Sequence, residues 1–419
     1  MGRSLTRWGA FVKIVVSYLP QSLKKNPLRA KKYRQRLTYH NTVTNLSDLP
    51  VEIINFIAER LYYIDQIRFR AVCKRLQSSI YNHIKFADRL PWIMGYNSSK
   101  EIHGGLIYLY EPSQKRRYRV DNEILVGAEL HASKFGWLLL SKKTKSSTSP
   151  HSFFFYCPFT GEIILLPELD MGDANRATFS TAPTSSDCVI FVISIHLLSP
   201  KDVDYKFFVS TCSPGDTTWR SNLRLYETYG GLMFNVAYVN GVFYCAFHAY
   251  QMMGAYNHAL QEWKVHPYPP VFKRPIVFER PPYYFLYLIE SPDDRSVILL
   301  SKHYTGPAEY CLNVFRFDQS HMKWCRIENF TSGYSESHDH DDEQTVEIEN
   351  LNKRMLFYSD LNGLSLAAEG EASELANTTH GNYGGGMVES SCLLQIYDWV
   401  HGGDGALLKK VWIQPPHTR

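Results

Sequence analysis

Seven consecutive residues, Ser337-His338-Asp339-His340-Asp341-Asp342-Glu343, carry two imidazoles and four carboxylates in a chain of 419 residues. Such donors suit a hard or borderline divalent cation. The run lacks the D-x-D-x-D-G grammar of a calcium loop and sits among Ser, Gly and Asn, so it reads as a solvated acidic loop, and no metal site is assigned. The patch Gly381-Asn382-Tyr383-Gly384-Gly385-Gly386 has neither G-x-G-x-x-G nor a following Lys-Ser/Thr, so it reads as a flexible loop and not a phosphate cradle. No G-x-S-x-G, H-E-x-x-H or kinase signature is present. The expectation is a non-catalytic chain with no catalytic residue and no cofactor. Dispersed acids cannot be paired from sequence, so an enzyme such as a hydrolase stays as an alternative.

The thiols point the same way. The eight Cys fall at 73, 157, 188, 212, 245, 311, 325 and 392, with no C-x-x-C spacing, and most lie inside apolar runs such as Phe155-Tyr156-Cys157 and Phe243-Tyr244-Cys245. Buried, reduced thiols of a cytosolic or nuclear protein explain this pattern. The sequons at Asn45, Asn97, Asn329 and Asn377 are then chance matches.

The elements that must carry these residues follow from composition. The chain is 44% apolar and 21% charged, with 28 Tyr, 23 Phe, 8 Trp, 25 Gly and 21 Pro, a mixture that favours strands and tight turns. No stretch reaches the roughly 18 residues of unbroken apolar sequence that a membrane helix needs. The net charge of +4 is uneven: residues 1–45 hold ten basic residues and no acid, which leaves 35 basic against 41 acidic residues, about −6, in the remainder. A mildly acidic body excludes a domain-wide nucleic-acid footprint. The basic arm, residues 1–45, is compatible with a solvated extension, a nuclear address (Lys24-Lys25 with Lys31-Lys32 and Arg34), a myristoyl and polybasic anchor on Gly2, or an organelle transit peptide. Phe11–Leu19 is too short and too charged at Lys13 for a secretory signal. Nucleus and/or cytoplasm is the expected location.

Residues 46–84 carry helical periodicity. Pro50 suits a first helical turn, with Glu52 near the positive helix end. Ile53, Ile54, Ile57 and Leu61 form one stripe, and Phe69, Val72, Cys73, Leu76 and Ile80 another. Three short helices in under 40 residues leave much apolar surface wet, so the module is expected to complete itself on a partner.

These residues carry a resemblance. L-P-x-E-I-I-x-x-I, then D-x-x-R-F-R-x-V-C-K with a Ser closing the last helix, resembles the F-box. That family docks on a Skp-type adaptor and so joins a Skp–cullin–F-box ubiquitin ligase. The resemblance implies an adaptor face made by Leu49, Pro50, Ile53, Ile54, Val72, Cys73 and Leu76. Leu76 departs from the aromatic that many members carry there, which raises the alternative of an interaction scaffold whose F-box no longer engages the ligase.

From residue 90 to 419 short apolar strands alternate with turn signals. Asn240-Gly241 between alternating apolar runs is a hairpin signal, and Pro158-Phe159-Thr160-Gly161 separates two more runs. An aromatic strand, a polar turn and a Trp recur at Trp219, Trp263, Trp324 and Trp412, at intervals of 44, 61 and 88 residues, the last equal to two of 44. Periods of about 40 to 50 residues mark a β-propeller. The fold class expected is mainly β, with six or seven blades behind a three-helix module. Gly136-Trp137-Leu138-Leu139, Pro158-Phe-Thr-Gly-Glu162, Asn240-Gly-x-Phe-Tyr244 and Val314-Phe-Arg-Phe-Asp318 resemble the plant F-box proteins that end in a KIB-type propeller. The resemblance implies a substrate-recognition subunit whose propeller binds a target protein, with aromatics in Tyr250–Tyr256 and at Tyr283-Tyr284 as contacts or strand core.

Overall fold

The computed structural model describes residues 49–58, 61, 63–80, 90–97, 106–111, 116–143, 150–170, 174–197, 205–225, 233–247, 252–269, 284–304, 310–328, 348–350, 353–359, 363–367, 377–382, 388–389 and 409–414. The basic arm, the 337–343 run, His248, Tyr250, Tyr283 and most of the 381–386 glycine patch lie outside the described residues. The chain divides into two compact units, 1–89 with 418–419, and 90–417.

The first unit holds helices α1 (Val51–Ala58), α2 (Tyr63–Arg70) and α3 (Lys74–Ile80). α1 starts where the sequence predicts: the Pro50 carbonyl accepts from the amides of Ile53 (3.0 Å) and Ile54 (3.1 Å), so proline stands at the turn that needs no donor. Glu52 lies in that first turn.

The second unit is built of sheets laid face to face, antiparallel throughout except for three parallel pairings in the fifth. The first contains β1 (Trp92–Asn97), β2 (Leu106–Glu111) and β3 (Arg116–Asp121). The second is the meander β4 (Glu129–Lys134), β5 (Trp137–Lys143), β6 (His151–Tyr156) and β7 (Ile163–Leu169). The third is β8 (Ala174–Phe179), β9 (Ile190–Leu197), β10 (Tyr205–Cys212) and β11 (Arg220–Leu225). The fourth is β12 (Met233–Val239), β13 (Val242–Phe247), β14 (Met252–Asn257) and β15 (Glu262–Pro267). Asn240 at φ 50° and Gly241 at φ 84° make the β12–β13 turn in the left-handed conformation that this dipeptide tolerates.

The fifth sheet is larger. β16 (Tyr284–Ser291), β17 (Ser296–Tyr304), β18 (Tyr310–Asp318), β19 (Lys323–Glu328) and β20 (Ile348–Asn350) join β21 (Arg354–Ser359), β22 (Gly363–Ala367), β23 (Thr378–Asn382) and β24 (Val388–Glu389) through one parallel pairing, Glu290 with Leu364. Gly363 permits that approach, since a Cβ there would lie 2.6 Å from the Leu288 carbonyl oxygen. Finally β25 (Lys409–Ile413) pairs with β1, Ile93 opposite Trp412, and closes the ring.

The architecture is therefore a mainly β propeller with five blades, which corrects the expected six or seven. The period count fails at two places. Trp412 does not occupy the outer position of the other three: it lies on the closing strand β25, so its 88-residue interval is not two repeats. The β16–β22 pairing also merges strands that the arithmetic assigns to separate blades.

Alternation along each strand explains why nearly every residue is apolar. Along β13, Phe243, Cys245 and Phe247 pack against Phe191, Ile193, Phe207 and Val209 of the third sheet. The intervening Val242, Tyr244 and Ala246 pack toward Leu286, Leu288, Val297 and Leu299 of the fifth. β17 repeats the arrangement, with Val297 and Leu299 on one face and Ile298 and Leu300 on the other. A strand sandwiched between two neighbours needs two greasy faces, and each fully buried Leu or Phe contributes roughly 1.5–3 kcal/mol.

Candidate adaptor-binding face and axial ion network

The helical unit is small but has a centre. Ile54, Ile57, Ala58, Phe69 and Leu76 form a buried cluster, with Leu49, Ile53, Leu61 and Cys73 packed half-buried around it. Polar groups tie the helices together. The buried Gln66 amide of α2 donates to the carbonyls of Ala58 (3.0 Å), the last residue of α1, and Leu61 (2.8 Å), adding to the bond that the Leu61 amide makes to Ala58 (3.1 Å). Arg75 of α3 reaches the Leu49 carbonyl at 3.3 Å.

The seven residues expected at an adaptor face do not share one environment. Ile54 and Leu76 are wholly buried inside the unit and touch no surface; their contribution to a face is to hold the others in place. Leu49, Ile53 and Cys73 form its half-buried rim. Pro50 is exposed, and Val72 stands 62% exposed at the end of α2. Val51, at 41%, is an exposed apolar neighbour that stripe-counting missed, because it falls off both helical stripes. The Leu76 departure from the aromatic thus falls on an interior position, where a leucine fills space well.

In the propeller, β4, β8, β12 and β16 touch one another across sheet boundaries and are the inner strands. Their final turns converge on one ion pair. Lys134, last residue of β4, donates from Nζ to Glu290 Oε1 of β16 at 2.6 Å and to the Phe179 carbonyl of β8 at 2.6 Å, with 5.3 Å from Nζ to the Phe179 ring centroid. The same Glu290 oxygen accepts from the Tyr238 amide of β12 at 2.8 Å. The side chains are only 11% and 10% exposed. Four sheets thus meet at a single cation and carboxylate. Beside them the Asn235 side chain exchanges two hydrogen bonds with the backbone of Leu288 (3.1 and 2.9 Å), closing the seam between β12 and β16. A second ionic knot holds Arg354 of β21 between Asp293 (3.0 Å) and Asp294 (3.1 Å) in the β16–β17 turn, with Ser365 Oγ at 2.6 Å from Nε.

Every polar partner in these knots is committed to another, so they serve cohesion; sequence reasoning missed them because no local motif links Lys134 to a residue 156 positions later. Two buried thiols of the propeller are the reverse of nucleophiles: burial pushes Cys188 up to about 11 and raises Cys245 well above its ordinary value, and low-pKa nucleophiles need the opposite. Among the described residues no group of three or more His, Cys, Asp or Glu could hold a metal ion, and no helix is long and apolar enough to cross a membrane. Of the aromatic stretch expected either in strand core or in contact with a target, Met253 and Tyr256 are buried between the third, fourth and fifth sheets.

Comparison with known families places both units. The KIB1-4 beta-propeller family model matches residues 109–374, well over half of the chain. The chain belongs to that family. An F-box domain model matches residues 46–87, so this is a plant F-box protein with a KIB-type propeller. F-box/kelch-repeat protein At1g57790 of Arabidopsis thaliana is 31% identical over 226 residues, which cover 53% of this chain and 59% of the relative. F-box protein At4g00893 of the same plant is 31% identical over 224 residues, 52% and 53% of the two chains. The chain spans less than two thirds of the length of these relatives. Among solved structures, a 6-phosphogluconolactonase-like protein of Bacteroides uniformis aligns at TM-score 0.32 and 11% identity over 57% of this chain and 82% of that one, too slight to carry an argument. The two domains fit the role of an F-box substrate receptor.

Proposed function

We propose that this F-box protein is the substrate-recognition subunit of a Skp–cullin–F-box ubiquitin ligase, working in the nucleus and/or cytoplasm. Its F-box docks a Skp-type adaptor, and its KIB-type propeller holds a target protein. The observation that carries the reading is the rim of Leu49, Pro50, Val51, Ile53, Val72 and Cys73 around a packed helical centre. Apolar side chains that a folded module leaves in water are where a partner gains most by burial. The ligase needs no chemistry from this chain. Holding a target lysine near the charged conjugating enzyme raises its effective concentration, which alone accelerates transfer.

Capture by a purified Skp-type adaptor tests the reading. Val72→Asp changes an exposed side chain and leaves the helical cluster whole, so the variant keeps its fold and loses capture. Equal capture of wild type and Val72→Asp, or no capture of wild type, overturns it. The packed position of Leu76 favours a working module over a vestigial one, because a remnant released from selection has no reason to keep its interior filled.

A further inference from the structure

The last helix of the F-box unit carries a serine set among cations. Ser78 is the one serine in the chain with an arginine three places before it, Arg75, and Lys74 adds a second cation four places before. Helical side chains three and four places apart share a face, so both cations flank the Ser78 hydroxyl. Ser78 is exposed, and its Oγ donates to the Arg75 carbonyl at 3.0 Å. α3 is only seven residues long, and among its described side chains Leu76 alone is buried. So short a helix opens readily and offers its residues in extended form.

Arg75 already has a task. From Nη2 it donates to the Leu49 carbonyl at 3.3 Å, an exposed bond to an acceptor 26 residues away. That bond ties α3 to the entrance of α1, where Leu49 and Pro50 stand on the rim described above. The Pro50 carbonyl in turn accepts from the amides of Ile53 and Ile54 at 3.0 and 3.1 Å. A phosphate on Ser78 would carry about −1.5 to −2 charges at pH 7 and three acceptor oxygens. Guanidinium and phosphate attract as opposite charges and pair through two parallel N–H donors, whereas a carbonyl brings no charge. In a contest for Arg75 the phosphate wins.

We propose that Ser78 is a phosphorylation site for an arginine-directed kinase, and that its phosphate draws Arg75 off the Leu49 carbonyl and weakens adaptor docking. The docking consequence rests on the receptor reading; the site itself does not. In the transfer the Ser78 Oγ attacks the γ-phosphorus of Mg-ATP. The Oγ–P bond forms as the bond from that phosphorus to the β,γ-bridging oxygen breaks, ADP leaves, and the hydroxyl proton passes to the kinase's base. Recognition is electrostatic, a carboxylate of the kinase meeting the Arg75 guanidinium while the helix is open. A merely solvated basic face explains Lys74 and Arg75 but predicts neither arginine-dependent transfer nor a response in α1.

The test treats the full-length protein with Mg-ATP and the catalytic subunit of cyclic-AMP-dependent protein kinase, and locates phosphate by mass spectrometry. Phosphate is expected on Ser78, and Arg75→Gln slows its arrival there about tenfold or more. In the phosphorylated protein, amide exchange at Ile53 and Ile54 quickens several-fold, and capture by a purified Skp-type adaptor falls about tenfold. Arg75→Gln reproduces both changes without phosphate. Ser78→Ala, at an exposed site, keeps the wild-type melting temperature, exchange and capture before and after kinase treatment. An unmodified Ser78, equal labelling of Arg75→Gln, or unchanged exchange at Ile53 and Ile54 after phosphorylation overturns the proposal. So does unchanged capture by an adaptor that binds the untreated protein. If the adaptor captures neither form, the ligase reading fails, and amide exchange alone decides the switch.

Discussion

Lys134 and Glu290 lie 156 residues apart in sequence and 2.6 Å apart in space, and between them they also hold the Phe179 carbonyl and the Tyr238 amide. Removing one member of such a pair leaves the other charge in a poorly solvated place. Lys134→Met is expected to lower stability by about 3 kcal/mol, whereas Lys134→Met/Glu290→Leu, which leaves no stranded charge, costs less than that single change. Denaturant melts of the three proteins, followed by tryptophan fluorescence, measure the ordering. A double variant weaker than Lys134→Met contradicts it.

The recurrent tryptophans make a graded series. Trp219 donates to the Pro167 carbonyl at 2.8 Å, Trp324 to that of Pro267 at 2.8 Å, and Trp412 to that of Tyr358 at 3.1 Å. Each fastens one blade to its neighbour. The Trp263 indole nitrogen is buried without a hydrogen-bond acceptor among the described residues. Exchange for Phe removes the donor while keeping a ring. Trp219→Phe is expected to cost about 1 kcal/mol more than Trp263→Phe, and thermal melting compares them.

Gly254 reports on the same tryptophan. A Cβ built there would fall 2.1 Å from Cζ2 and 2.6 Å from Cη2 of Trp263, so the ring must leave its place between Phe207 and Phe247. Gly254→Ala is expected to destabilise by about 1–3 kcal/mol, as overpacking does. Adding Trp263→Leu should recover part of that loss in a double-mutant cycle; purely additive costs contradict the contact.

Inside the helical unit, Leu76→Ala empties a fully buried position and is expected to cost about 2–5 kcal/mol, read as earlier loss of helical circular dichroism. Val72→Ala, at an exposed site, should change that transition by less than about 0.5 kcal/mol. The pair separates interior from rim without reference to any partner.

Acid weakens the propeller through two histidines, the buried His151 and the half-buried His266. Burial lowers His151, reinforced by Lys143, and burial also lowers His266 below the ordinary value of 6.5. The unfolded chain therefore binds protons that the folded one refuses, so stability is complete above 6.5 and falls as pH drops toward the depressed folded values. Melting temperature should decline below about pH 6.5, and His151→Gln/His266→Gln should flatten the decline. A slope unchanged by the double substitution refutes the assignment.

What could be read beforehand divides along physical lines. Asn240-Gly241 and Gly161 announce their turns because a left-handed backbone restricts residue choice on the spot. Pro50 announces α1 for a similar local reason. The apolar stripes of residues 53–76 mark helices correctly, yet they cannot tell Ile54 and Leu76, which face each other's helix, from Val72, which faces water: hydrophobicity is the same and only packing differs. Blade number escapes because Trp412 mimics the outer-strand tryptophans from a closing strand. The Lys134 network escapes because its members share no local pattern.

The pairing of β25 with β1 sets a timetable. During synthesis Trp92 to Asn97 leaves the ribosome early, yet its hydrogen-bonding neighbour at Lys409–Ile413 arrives only after every other described strand has been made. Until then the wheel stands open, one flank of its first strand bare and able to recruit a stranger. A premature stop anywhere before Lys409 would fix that gap permanently, so such truncations should surface as aggregated or rapidly cleared polypeptide even when the residues they lack are few.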